Sequence, residues 1–153
     1  MCALGCSIAL HAQAAATAKT IITIKLRDGK TGQAVDASNV NVRFNHQSEA
    51  GGNWVDQKED GIIEVTLPRD ARVIAIRTTY MNSLEYYVSC DVAKQKNVDA
   101  ETWYPVADIL AGGLAIPNDC VRPKDADKVK IDPKPGELIL FVRKRNWKEQ
   151  VTE

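Results

Sequence analysis

Leu26-Arg-Asp-Gly-Lys-Thr-Gly-Gln-Ala-Val35 and Glu59-Asp-Gly-Ile-Ile-Glu-Val-Thr-Leu-Pro68 are the two stretches that decide the fold. Each places apolar residues beside a turn that is centred on Gly or Pro, which is typical of a short antiparallel strand and its connection. The first stretch leads into Val40 to Phe44 and the second into Val73 to Ile76. Val40 to Phe44 alternates apolar and polar residues without a break, so this strand should bury one face.

Further strands are predicted from β-branched or alternating runs at Thr20 to Leu26, Leu84 to Val92 and Glu137 to Val142. Pro68 to Arg72 should reverse the chain, so that the strands on either side of it form a β-hairpin.

One helix is predicted between Trp103 and Pro117, with Pro105 in its first turn and Gly112-Gly113 at its end. The spacing of Val106, Ile109 and Leu110 places these three side chains on one face of that helix. About seven short strands and one short helix predict an all-β, Greek-key β-sandwich.

The composition fits one domain of ordinary size. The chain has 153 residues, with 20 Lys and Arg against 20 Asp and Glu. The formal charge of zero gives no general attraction to nucleic acid or to an anionic membrane. The basic residues around Trp147, at 143–148, are one short cluster, which we interpret as a solvated tail rather than a nucleic-acid site.

The N-terminal residues resemble a secretory signal. Residues 1–16 contain no Lys, Arg, Asp or Glu and include Ala12-Gln13-Ala14, an A-x-A pattern that predicts cleavage at Ala14 and Ala15. This divides the chain into a signal at 1–16 and one domain at 17–153. A complete signal also has a basic n-region, so a start further upstream is one alternative, and a short buried helix is another. A third alternative is a lipoprotein box ending at Cys6, which would carry a lipid anchor.

The remaining chain has no run of about 20 apolar residues, so no transmembrane segment is predicted. Cys90 and Cys120 are the only cysteines after the signal. In an oxidising compartment they should form one disulfide. Metal binding lacks a nearby His or third Cys, and a reactive thiol lacks an activating neighbour. We therefore expect an exported protein, either periplasmic or extracellular.

The two opening stretches together resemble the carboxypeptidase regulatory-like, transthyretin-like domains of exported bacterial proteins. The resemblance rests on a Thr-Gly turn, a small-residue-Asn-Val-x-Val strand, an Asp-Gly turn, Leu-Pro and a returning strand, which are found here at Thr31-Gly32, Ser38 to Val42, Asp60-Gly61, Leu67-Pro68 and Val73 to Ile76. It covers about half of the mature chain. This chain has Asp70 where the family usually has Gly, and Val73 where it usually has an aromatic residue. The resemblance implies a non-catalytic accessory or binding module, with no catalytic residue and no cofactor.

The residues themselves also give little support to catalysis. His46 is the only histidine after the signal, and it lies in a polar loop where we expect it to be exposed. We therefore expect a structural or protein-interaction role at the cell envelope or outside the cell, with a partner that the sequence does not name.

An alternative function is binding of carbohydrate or calcium through the loop at 45–54. Trp54, Trp103, Tyr104 and Trp147 are candidates for an aromatic ligand face, although such residues are more often buried at strand ends. The acidic pairs Glu59-Asp60 and Asp125 with Asp127 lack the regular ligand spacing of a calcium loop, and solvated turns explain them better.

Overall fold

The first strand of the protein runs from Ile21 to Asp28, and buried residues alternate along it with more exposed ones. The structure is a computed structural model, and it describes residues 18–36, 39–58, 61–77, 87–91, 101–146 and 148. The strands in this part of the chain are β1 (Ile21–Asp28), β2 (Asn39–Phe44), β3 (Asn53–Asp56), β4 (Ile62–Thr66), β5 (Val73–Arg77), β6 (Tyr87–Ser89), β7 (Tyr104–Pro105), β8 (Leu114–Ala115) and β9 (Glu137–Lys144), with the helix α1 (Val106–Gly112) and short 3-10 helices at Glu49–Gly51 and Pro123–Lys128.

The strands form two sheets. In the first sheet, β1 lies between β4, which is antiparallel to it, and β9, which is parallel to it. The other edge of β9 is shared, because β8 pairs with its first half and β6 with its second half. The second sheet has the order β3-β2-β5-β7, and each neighbouring pair is antiparallel.

A mostly β protein with two sheets agrees with the predicted all-β sandwich. Apolar residues from both sheets form one buried cluster, with Ile24, Leu26 and Leu140 from the first sheet and Val42 and Ile74 from the second. Each such side chain, when fully buried, contributes about 1.5–3 kcal/mol relative to an exposed one.

The predicted hairpin between β4 and β5 is wrong. β4 pairs with β1 in the first sheet, whereas β5 pairs with β2 in the second. The turn that begins at Pro68, with the Ala71 N–H donating to the Pro68 carbonyl at 3.1 Å, therefore carries the chain from one sheet to the other. The chain reverses direction both in a hairpin within one sheet and in a connection between two sheets, so the turn residues alone do not distinguish these two cases.

β9 is buried on both faces, which explains its continuous apolar sequence. Its parallel register with β1 places Leu138 and Leu140 beside the core residues of β1. Ile139 and Phe141 lie beside Lys25 and Arg27 on the opposite face. Both Ile139 and Phe141 are nevertheless buried. The segment between β8 and β9 is charged and contains proline, yet it is not wholly exposed. Val129 is buried near Gly32, and Ile131 packs against the hydrophobic cluster. Two apolar residues of this segment therefore contribute to the buried core.

The helix begins and ends where its flanking residues predict. Pro105 precedes its first residue, and Gly113, with φ of 79°, follows its last and donates its N–H to the Ile109 carbonyl at 3.0 Å. Val106 and Ile109 are buried, but Leu110 is 38% exposed. Leu110 therefore lies at the exposed margin of the helix rather than in the core.

Cys90 and Cys120 form a disulfide, as predicted. The disulfide packs against the turn after β1, where a Cβ added to Gly29 would lie 2.4 Å from Cys90 Sγ. Asn118 donates from Nδ2 to the Gly29 carbonyl at 2.7 Å and accepts the Cys120 N–H at Oδ1 at 3.2 Å. At Gly29 there is no space for a side chain. Gly32 in the same turn has a φ of 72°, a left-handed backbone conformation that favours glycine.

Some predictions concern residues outside the described part of the chain. These are the signal at 1–16 with its cleavage at Ala14 and Ala15, the lipid anchor at Cys6, and Trp147. No helix among the described residues combines the length and apolarity that a membrane crossing needs.

Candidate binding surface

The outer face of the second sheet carries an unusual set of polar side chains. Val40, Val42 and Phe44 of β2 point into the core, so Asn41 and Arg43 lie on the opposite face. A residue facing away from the core is normally solvated, yet Asn41 and Arg43 are each only 5% exposed. Burial of an amide and a guanidinium is costly unless both are hydrogen bonded.

Trp54 stands at one side of this face. Trp54 is on the edge strand β3, where it pairs with Asn41 of β2. Arg77 of β5 pairs with Asn41 from the other side. Trp54 is 58% exposed, the most exposed of the large apolar side chains in the described residues. Gly52 packs closely on Asn41, because an added Cβ would lie 2.3 Å from Asn41 Oδ1. That Oδ1 atom is buried and has no hydrogen-bond partner among the described residues.

Arg43 lies at the centre of a second cluster on the same face. Its Nη2 forms an ion pair with Glu101, and its Nη1 donates to the Gln47 carbonyl at 3.4 Å. Its Cζ lies 5.8 Å from the centre of the Trp103 ring, within the range of a cation–π interaction. Its Nε is buried and has no hydrogen-bond partner within the part of the chain that the structure describes.

The connection after β2 places His46 against this cluster. Asn45 and His46 have φ of 50° and 61°, and the Gln47 N–H donates to the Phe44 carbonyl at 3.0 Å, which is the arrangement of a type I′ turn. Asn45 supports the turn, because its Oδ1 accepts the Arg72 N–H at 2.8 Å.

His46 occupies a left-handed position that usually favours Gly or Asn. Its exposed ring contacts Trp103, with 4.5 Å between ring centres and 47° between ring planes. His46 is exposed, as predicted, and this contact offsets part of the cost of its backbone conformation.

The four aromatic residues predicted as a ligand face do not all lie together. Trp54 and Trp103 are on the outer face of the second sheet, at opposite sides of it. Trp54 is on the edge strand β3, whereas Trp103 directly precedes β7 at the other edge and its ring lies near Arg43 of β2. Tyr104 is buried in the core, and its hydroxyl donates to Asp91 Oδ2 at 2.9 Å. Burial, together with the nearby Asp91 carboxylate, raises the pKa of Tyr104 well above its usual value.

The acidic pairs do not form a calcium site in the described residues. Asp125 contacts Arg122 at 3.3 Å and Lys128 at 2.8 Å, so its carboxylate is already neutralised by two cations. Glu59 and Asp60 lie outside the described ranges. Across those ranges, no group of three or more His, Cys, Asp and Glu residues is arranged to hold a metal ion.

Comparison with known proteins found no matching family model, curated protein or solved structure. The sequence identified Trp54 and Trp103 as candidate site residues and His46 only as an exposed loop residue, and it gave no indication of Asn41, Arg43 or Glu101. The alternation of β2 places Asn41 and Arg43 on its polar face, but it carries no signal that this face is also covered.

Proposed function

We propose that this chain is a non-catalytic interaction module of an exported protein, and that the outer face of its second sheet binds a partner protein. The turn motifs that resemble transthyretin-like domains support the choice of an accessory sandwich. Export is supported by the A-x-A pattern at Ala12 to Ala14 and is compatible with the Cys90–Cys120 disulfide.

The observation that carries this proposal is the exposure of Trp54. A tryptophan indole that is 58% exposed on an edge strand leaves a large apolar area in water. Tryptophan and arginine are enriched among the residues that dominate protein interfaces, and Trp54 shares its face with Arg43 and Arg77. Protein binding would cover the indole and extend over the adjacent polar residues.

Carbohydrate binding is the second candidate. It is favoured by the location of Trp54 and Trp103 on one face with Asn41 and Arg43 between them, because aromatic rings can stack on sugar rings while amide and guanidinium groups bond to hydroxyls. It is the less favoured candidate because the Arg43 guanidinium is already paired with the Glu101 carboxylate, a charged partner that a neutral sugar hydroxyl replaces poorly.

Site-specific photocrosslinking in cells that export the protein tests the proposal. A photoreactive amino acid replaces Trp54 in one variant and Ile21 in a matched control, since Ile21 is 51% exposed on the other sheet. We expect a discrete protein adduct from position 54 that is absent from position 21, and we expect Trp54→Ala to abolish binding of the identified partner in a purified assay. Equal adducts at both positions, or none at position 54, would refute the proposed surface.

A titration with neutral oligosaccharides separates the two candidates. Quenching or enhancement of tryptophan fluorescence that disappears in Trp54→Ala would favour carbohydrate binding. An unchanged signal alongside the protein adduct would favour the interaction module.

A further inference from the structure

The guanidinium of Arg43 has one edge that is only half used. The Nε and Nη2 atoms of an arginine lie on the same edge, and together they can hold both oxygens of one carboxylate. In this structure Glu101 pairs with Nη2, while Nε is buried without a partner among the described residues. The ion pair therefore satisfies one donor of the edge and leaves the other desolvated.

Glu101 also lies on the solvent side of the pair. Its side chain is 32% exposed, against 6% for the side chain of Arg43. The Cζ atom of Arg43 lies 5.8 Å from the centre of the Trp103 ring, and Nη1 donates to the Gln47 carbonyl. These contacts fix the guanidinium in position, so the Nε and Nη2 edge is pre-organised.

We propose that Arg43 is a carboxylate-binding site for an acidic side chain of the partner protein, and that Glu101 is an internal competitor that occupies it in the absence of the partner. This rests on the proposed function and assigns the chemistry of one partner group. A partner carboxylate that bonds to both Nε and Nη2 makes one charge-assisted hydrogen bond more than Glu101 makes. That difference favours the exchange.

The competition gives Glu101 a measurable role. A ligand of the wild-type protein must displace Glu101, so its apparent affinity is lowered by the fraction of molecules in which Arg43 is free. Glu101→Gln removes the competing charge and keeps the side-chain shape, and it should strengthen carboxylate binding by about tenfold. Arg43→Lys keeps a positive charge but lacks the two-donor edge, so it should abolish that gain.

The test uses the full chain with ¹⁵N label and follows the Nε–H resonance of Arg43, which is assigned by its loss in Arg43→Lys. Acetate and N-acetyl-aspartate amide are titrated to about 50 mM against chloride at equal ionic strength, since a single exposed ion pair binds weakly. We expect saturable shifts of the Arg43 resonance in Glu101→Gln, weaker ones in the wild type, and accompanying shifts of the Trp103 indole resonance.

Several outcomes would overturn the inference. These are an Arg43 resonance that stays unmoved in both the wild type and Glu101→Gln, equal acetate affinity in the two proteins, or carboxylate binding that persists in Arg43→Lys. If Glu101→Gln does not fold, Glu101→Asp, with its shorter side chain, should still bind acetate more tightly than the wild type, and equal binding would count against the site. A response to galacturonate without one to N-acetyl-aspartate amide would contradict the assignment to a protein side chain.

The same assay separates this inference from the proposed function. Trp54→Ala should lose the partner while its Arg43 resonance still responds to acetate. If the Arg43 resonance does not respond to acetate, the carboxylate site is refuted but the binding surface tested by the crosslink from position 54 is not. If the crosslink is missing, the binding surface is refuted but binding of acetate at Arg43 is not.

Discussion

The Cys90–Cys120 disulfide should account for a large share of the stability of this domain. It joins residues that are 30 positions apart, and the chain-entropy model for a loop of that length gives about 12 cal/mol/K, or about 3.6 kcal/mol at 25 °C. Domains of this size have a free energy of unfolding of roughly 5–15 kcal/mol. Loss of the disulfide should therefore lower the melting temperature by roughly 10 °C.

Two perturbations separate the cross-link from its packing. Reduction of the wild-type protein breaks the bond but keeps both side chains, whereas Cys90→Ala with Cys120→Ala also leaves a cavity where the buried Cys90 contacts Gly29. We expect the free energy of unfolding, measured by urea denaturation, to fall in the order oxidised, reduced, double alanine variant. Non-reducing peptide mapping should find Cys90 joined to Cys120.

A difference below about 1 kcal/mol between the oxidised and reduced proteins would show that the loop is already restricted in the unfolded chain, or that the native bond is strained by a similar amount.

Three further predictions concern the packing of the fold. Gly61→Ala should cost at least 1–2 kcal/mol more than Gly136→Ala in urea denaturation, because both positions have φ above 60° but an added Cβ meets a backbone oxygen at 2.6 Å only at Gly61; equal losses would contradict this. Tyr104→Phe should cost about 1.5–3 kcal/mol by removing the hydrogen bond to the Asp91 carboxylate. Because the pKa of Tyr104 is raised in the folded state, its hydroxyl ionises first in the unfolded chain, so the wild type but not Tyr104→Phe should lose additional stability above about pH 10. Phe141→Ala should cost about 3–5 kcal/mol because Phe141 is buried on the second face of β9, and a loss near zero in thermal unfolding would contradict that burial.

Local signals predicted local structure well. Alternation located β2 and β4, and Pro105 with Gly113 located the ends of the helix, because each of these features depends on residues that are close in sequence. The pairing of strands depends on residues far apart, and there the prediction of a β4–β5 hairpin was wrong. The two-residue strands β7 and β8 were not predicted, since a run of two residues has no periodicity to detect.

The candidate site was predicted only in part, for a related reason. Trp54 and Trp103 were selected by residue type, and the structure places both on one face of the second sheet. Arg43 and Glu101 come together only when the segment before β7 folds back on β2, and nothing in either local sequence indicates that contact. Charge pairing across separate elements needs the tertiary fold before it can be recognised.

The position of β9 has a consequence for how the protein reaches its folded state. The pairing of β1 with β9 cannot form until more than a hundred further residues have been synthesised, since Lys25 and its ion-pair partner Glu137 are 112 positions apart. Parallel pairing over such a distance favours slow folding, on a timescale of milliseconds to seconds. A chain released to its compartment residue by residue would therefore remain open until β9 emerges. During that interval the exposed edge of β1 is the part most vulnerable to pairing with another chain.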